Sequence, residues 1–191
     1  MITIVSGLPR SGTSLMMQML AAGGMAALCD GEREADADNP KGYLEWERVK
    51  QLPKNPGLIG EAEGKVVKVI SQLLLSLPDG LEYRIVFMQR PLAEVLKSQV
   101  EMLKRRGTYN GVENEAAMAQ IFKRHLADVD KWLLAMTNTR VLEVQYHRAL
   151  REPQAVAEEV MAFLKVPLDI QAMVGQVDMR LYRNREVPYG G

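Results

Sequence analysis

The residues Gly7-Leu8-Pro9-Arg10-Ser11-Gly12-Thr13-Ser14 combine two glycines, an arginine and three hydroxyl side chains in eight positions. Glycines let a backbone turn tightly and approach a ligand closely. If a helix opens just after them, its unsatisfied N–H groups and positive end face any anion bound there. Arg10 adds a forked, permanent charge, and Ser11, Thr13 and Ser14 add hydroxyl donors. Pro9 to Ser14 are therefore candidate contacts for phosphate or sulfate. A plain glycine-rich turn is the alternative, but the ordered set of Arg, Ser, Gly, Thr and Ser favours the anion site.

This is not an ordinary ATP loop. The pattern GxxxxGK[ST] needs a lysine where Thr13 stands. The apolar run 85–88 leads into Gln89-Arg90, where a magnesium-holding Asp would be required. A cation in that place weighs against metal-dependent phosphoryl transfer. Arg90 itself, followed eight residues later by Ser98, can hold a second phosphate. A solvated helix face is the plainer reading of that pair.

Positioning such groups requires strands that end where helices begin. Residues 2–6 are apolar and β-rich and end at Gly7, which suits a buried parallel strand. Residues 13–22 are strong helix formers stopped by Gly23-Gly24. Further strands are expected at 25–29, 65–70, 83–88 and 139–144, and helices at 92–106, 113–136 and 153–165. Residues 30–54 read as a long polar loop with short helical pieces, a length that often signals function. The alternation predicts an α/β fold: a single-domain, P-loop-like parallel β-sheet flanked by helices, spanning 1–191.

Composition narrows the function. The 191 residues carry 24 Lys+Arg and 24 Asp+Glu, so net charge is zero and a nucleic-acid or membrane coat built on bulk charge is not expected. One cysteine, Cys29, excludes an internal disulfide and a cysteine metal cluster, and two histidines make a His-rich metal site improbable. No run approaches a membrane span, and MITIVSG lacks the features of a signal peptide, so a cytoplasmic protein is expected.

GLPRSGTS resembles the 5′-phosphosulfate loop of sulfotransferases that use 3′-phosphoadenosine 5′-phosphosulfate (PAPS). The Arg90/Ser98 spacing resembles that family's 3′-phosphate site. Residues 141–167, VLEVQYHRALREPQAVAEEVMAFLKVP, are similar to its strand–Tyr–helix segment, with Tyr146 at the adenine-side tyrosine. The likeness extends over about residues 2–168. It implies PAPS as sulfuryl donor, adenosine 3′,5′-bisphosphate as product, no metal, and a small-molecule, glycan or peptide acceptor presenting a hydroxyl or amine. Two features depart from the pattern. Cytosolic animal members have lysine where Arg10 stands, whereas many bacterial and Golgi members have arginine; the C-terminal Arg-Lys-Gly segment is missing, and Arg180, Arg183 and Arg185 could stand in for it, with a basic solvated tail as the plainer reading.

Sulfuryl transfer needs a base for the acceptor proton and positive charge near the leaving oxygen. Arg10 can serve the leaving phosphate. Lys68, flanked by valines, resembles a strand-end lysine of the protein-tyrosine branch; it needs an anion partner if buried, or else snorkels to water. The base is expected among Asp30, Glu32, Glu34 and Glu45, ranked Glu45, Asp30, then Glu32. Gly42 gives the backbone before Glu45 freedom to turn, and Tyr43 and Trp46 can pack down to hold it. His125 reads as a helix-surface residue and His147 as a strand-end or cofactor neighbour. Met16, Met17, Met19 and Trp132 read as packing, and Tyr109 as an acceptor contact. An ATP-dependent small-molecule or nucleotide kinase and a non-catalytic nucleotide-binding module stand as alternatives.

Overall fold

In the computed structural model, residues 1–32, 42–109 and 115–178 are described. Four parallel strands form the sheet among these residues: β1 (Ile2–Gly7), β2 (Val66–Lys68), β3 (Tyr83–Gln89) and β4 (Thr139–Gln145), in the order β2-β1-β3-β4. Gly7 pairs with Met88 and Gln89 with Gln145, so the strands end at one edge. The chain winds from β1 to β2 on one side and then crosses to β3 on the other. The switch point lies between the carboxyl ends of β1 and β3, where open α/β sheets place their ligands.

Both faces of the sheet are covered, which explains why β1 is buried at every position. Because side chains alternate across a strand, Val5, Val86, Met88 and Val144 enter one core, with α1 (Thr13–Ala22), α5 (Tyr146–Arg151) and α6 (Pro153–Leu164). Ile2, Ile4, Ile85 and Phe87 enter the other, which includes Val129 of α4 (Glu115–Ala135) and the two 3₁₀ segments Glu47–Gln51 and Pro56–Ala62. Met16, Met17 and Met19 are fully buried, and Trp132 packs half-buried against the second core. The remaining helices are α2 (Ser71–Leu74), α3 (Leu92–Arg105) and α7 (Ile170–Val174), the last capped by Asp169, whose side chain accepts from Ala172 N at 2.9 Å.

The expected strand at 25–29 is not one. Its backbone touches β2 only around Ala27, through Val66 N to Ala26 O and Leu28 N to Val66 O. The next N–H that could continue this pairing, that of Asp30, donates instead to Glu45 O at 3.2 Å, so the segment leaves the sheet, and Cys29 is exposed. His125 is not on the helix surface either: it is half-buried, its Nε2 lies 2.9 Å from Ser71 Oγ, and burial pushes its pKa down. No helix among the described residues is long and apolar enough to cross a membrane.

Candidate active site

β1 ends at Gly7 and α1 starts at Thr13, so residues 8–12 form the strand-to-helix turn. Gly12 is the residue before α1, at φ 101°, and no side chain caps the helix there. The first helical N–H groups therefore lack a side-chain acceptor, and no acidic residue sits in the first turn. A Cβ on Gly12 would collide with the ring of Tyr146, and one on Gly7 would collide with Ser11 Oγ and Met88 O. Arg10 is left-handed too, at φ 70°, a conformation costly to a residue with a side chain.

A cavity of about 550 Å³ opens in front of this turn, in the size range of small-molecule sites. Pro9, Arg10, Gly12, Thr13 and Ser14 line one wall. Arg90 and Ser98 line another, with Tyr146 between them and the turn. Arg10 Nε donates to Ser98 Oγ at 3.0 Å, which joins the turn to α3. The Arg90 guanidinium lies 4.8 Å from the centre of the Tyr146 ring. Burial pushes the Tyr146 phenol up, and Arg90 and Arg10 pull it back only in part.

Lys68 and Glu45 line the same cavity. Lys68 is 7% exposed and meets Glu45 Oε1 at 2.7 Å and Ser14 Oγ at 3.0 Å. Of the two readings of this lysine, the anion partner is the one realised. Glu45 is 19% exposed, so its carboxylate still reaches the cavity. Tyr43 and Trp46 on either side of it are buried, and Gln18 of α1 donates to Gly42 O at 2.8 Å. Together these contacts fix the backbone that presents Glu45.

Asp30 and Glu32 are not brought to the cavity. Asp30 accepts from the backbone N–H groups of Glu32 at 3.2 Å and Glu47 at 2.6 Å, which ties two loop segments together. Glu32 is exposed and outside the cavity lining. Ser11 also faces elsewhere: it is buried, its Oγ has no hydrogen-bond partner, and it borders a second hollow of about 340 Å³ with Leu8 and Gln89. Tyr109 is outside the cavity lining and lies beneath Lys104. Glu34 and the arginines at 180, 183 and 185 lie outside the described residues.

Sequence reasoning missed Glu94. Its Oε2 accepts from Arg90 Nε at 2.8 Å and lies 3.0 Å from His147 Nε2. The signal was present, since Glu94 is four residues after Arg90 at the start of a helix, a spacing at which side chains meet.

A family model described as "Sulfotransferase family" matches residues 46–170, about two thirds of the chain. The chain belongs to the sulfotransferase family. The match covers Lys68, Arg90, Ser98 and Tyr146 and begins just after Glu45; the turn at 7–14 precedes it. Among solved structures, the sulfotransferase domain from the curacin biosynthetic pathway resembles the chain with a TM-score of 0.54. The two are 18% identical over 93% of this chain and 77% of that one, so the likeness is one of fold. No curated protein sequence matches it. Family and fold together support sulfotransfer as the general activity of this α/β chain.

Proposed function

We propose that this single-domain sulfotransferase moves a sulfuryl group from PAPS to a hydroxyl or amine of a small-molecule, glycan or peptide acceptor, without a metal. The observation that carries the reading is the Glu45–Lys68–Ser14 chain. It puts a proton acceptor, a cation and the start of an anion-binding helix in one cavity.

The donor set fits PAPS. Uncapped N–H groups at the start of α1, with Arg10, suit the 5′ phosphosulfate end. Arg90 and Ser98 suit the 3′-phosphate, and Tyr146 gives the adenine side a flat neighbour. PAPS, when bound, supplies an activated sulfuryl group whose leaving group is adenosine 3′,5′-bisphosphate. Arg10 and the α1 amides hold the phosphate that departs. Lys68 places positive charge beside Ser14, near the sulfuryl position. Glu45 takes the acceptor's proton, and its contact with Lys68 holds the carboxylate at the cavity wall. Arg10, Lys68 and Arg90 line the cavity on the side where a phosphoryl-transfer enzyme would hold magnesium, which supports metal-independent transfer.

The test is transfer of label from PAPS to an acceptor mixture, repeated in excess chelator. Turnover that survives chelation is expected. Turnover that vanishes and returns with magnesium, or stabilisation by ATP–Mg but not by adenosine 3′,5′-bisphosphate, would favour a kinase. Bisphosphate binding without transfer to any acceptor would favour a non-catalytic nucleotide-binding module.

A further inference from the structure

Glu94 carries a carboxylate that the proposed chemistry does not use, and it is only 1% exposed. A buried charge is costly unless it is paired and hydrogen-bonded. Here one oxygen, Oε2, serves two partners on different elements: Arg90 Nε at 2.8 Å, just past β3, and His147 Nε2 at 3.0 Å, in α5. An ionised carboxylate can only accept, so His147 Nε2 carries the proton.

Arg90 continues the chain of contacts. Its Nη1 donates to Arg10 O at 3.1 Å, the carbonyl of the left-handed residue in the turn. With Nε held by Glu94 and Nη1 held by that carbonyl, the plane of the guanidinium is fixed where it lines the cavity over Tyr146. Ser98 comes from the same helix as Glu94, one turn further on, so α3 sets both Arg90 and its neighbour in the site.

We propose that Glu94 is a positioning residue that selects a doubly phosphorylated nucleotide over a singly phosphorylated one by orienting Arg90 toward the second phosphate. The inference rests on the reading above, in which Arg90 and Ser98 take the 3′-phosphate. It adds a residue that touches no ligand but sets the site's preference.

The experiment compares affinities for adenosine 3′,5′-bisphosphate and adenosine 5′-monophosphate by calorimetric titration, in wild type, Arg90→Ala, Glu94→Gln and the double variant. Arg90→Ala should cut the bisphosphate preference by about 10- to 100-fold, the loss of one charge-assisted contact. Glu94→Gln should cut it by about 5- to 10-fold, and the double variant should lose no more than Arg90→Ala alone, because both act through one contact. Equal loss for both ligands in Glu94→Gln, or an intact preference there while Arg90→Ala loses it, overturns the role of Glu94. If Arg90→Ala itself keeps the preference, the second-phosphate reading fails and this inference fails with it. Should Glu94→Gln not fold, Glu94→Asp keeps the charge but draws it back from Arg90 Nε by one methylene. Its preference should then fall by about 3-fold, and an unchanged preference overturns the proposal.

Discussion

Glu45→Gln tests the proposed chemistry with the least disturbance to shape. The amide keeps an oxygen beside Lys68 but accepts no proton at working pH. A positioned general base contributes about 10²–10⁴ in rate, equivalent to ~3–5 kcal/mol of barrier. The structure also gives the expected sign for binding. Opposite charges about 4 Å apart attract by ~4 kcal/mol at an effective dielectric of about 20. Glu45 is 19% exposed, so water screens part of its attraction for the Lys68 ammonium at 2.7 Å. Removing the carboxylate leaves Lys68 beside Ser14 with one competitor fewer for an incoming anion. Affinity for adenosine 3′,5′-bisphosphate should therefore hold or rise while turnover falls by roughly 10²–10⁴. Initial rates at saturating PAPS and calorimetric titration of the bisphosphate separate the two effects. Normal turnover refutes the assignment. A fall in turnover matched by an equal fall in affinity also refutes it, because Glu45 would then be acting on the shape of the cavity.

Gly12→Ala and Gly24→Ala form a matched pair, since their φ angles are 101° and 100°. Both should pay a strain of ~1 kcal/mol, but only Gly12→Ala drives a methyl group into Tyr146, so its melting temperature should fall by a further equivalent of about 2 kcal/mol; equal falls would dismiss the contact. Arg84→Met should cost about 1.5–3 kcal/mol in urea unfolding, because the buried Arg84 Nη1 donates to Phe163 O at 3.0 Å and to Leu164 O, the carbonyls that end α6; a loss below 0.5 kcal/mol, roughly the surface-substitution level, would deny that cap. Tyr83 is pushed up to about 12, chiefly by burial and then by Asp79, so above about pH 10 the unfolded chain loses this proton while the folded chain keeps it, and stability falls from pH 10 to 12. Tyr83→Phe, which loses the 3.0 Å bond to Pro78 O, should be less stable than wild type at pH 9, with the gap closing by pH 11.5 in denaturant titrations; a constant gap would exclude the titration.

The turn at 7–14 and helix 13–22 were legible because glycines, hydroxyls and helix formers act locally, and α1 has the bounds its composition implies. Arg90 and Ser98 were legible from a strand end and a helix spacing. Residues 25–29 do not form the expected strand because a short apolar run says nothing about where the following backbone N–H groups go, here to Glu45 O rather than to β2. Residue type does not separate Asp30 from Glu45, both carboxylates in one polar stretch; the preference for Glu45 is legible only through Gly42, Tyr43 and Trp46 around it, and the two rings are buried. What separates them is that Asp30 spends its oxygens on backbone N–H groups, whereas Glu45 meets a lysine arriving from β2. Glu94 was hidden for the same reason in reverse: burial and a partner from α5 turn an ordinary helix carboxylate into a fixed part of the site.

The two sides of the cavity are held by different parts of the molecule. The turn and Arg90 leave adjacent central strands whose pairing runs from Ile2–Tyr83 to Gly7–Met88, so their spacing changes only when the sheet itself opens. Glu45 hangs on a short irregular segment kept down by Gln18 and by the buried rings of Tyr43 and Trp46. Amide hydrogens of β1 and β3 should therefore exchange only through global unfolding, and those around Glu45 through a cheaper local opening. On the proposed reading, the donor half of the site stays formed during excursions that dismantle the acceptor half, and a bound nucleotide would stay in place while the wall carrying Glu45 detaches and re-forms around a new acceptor.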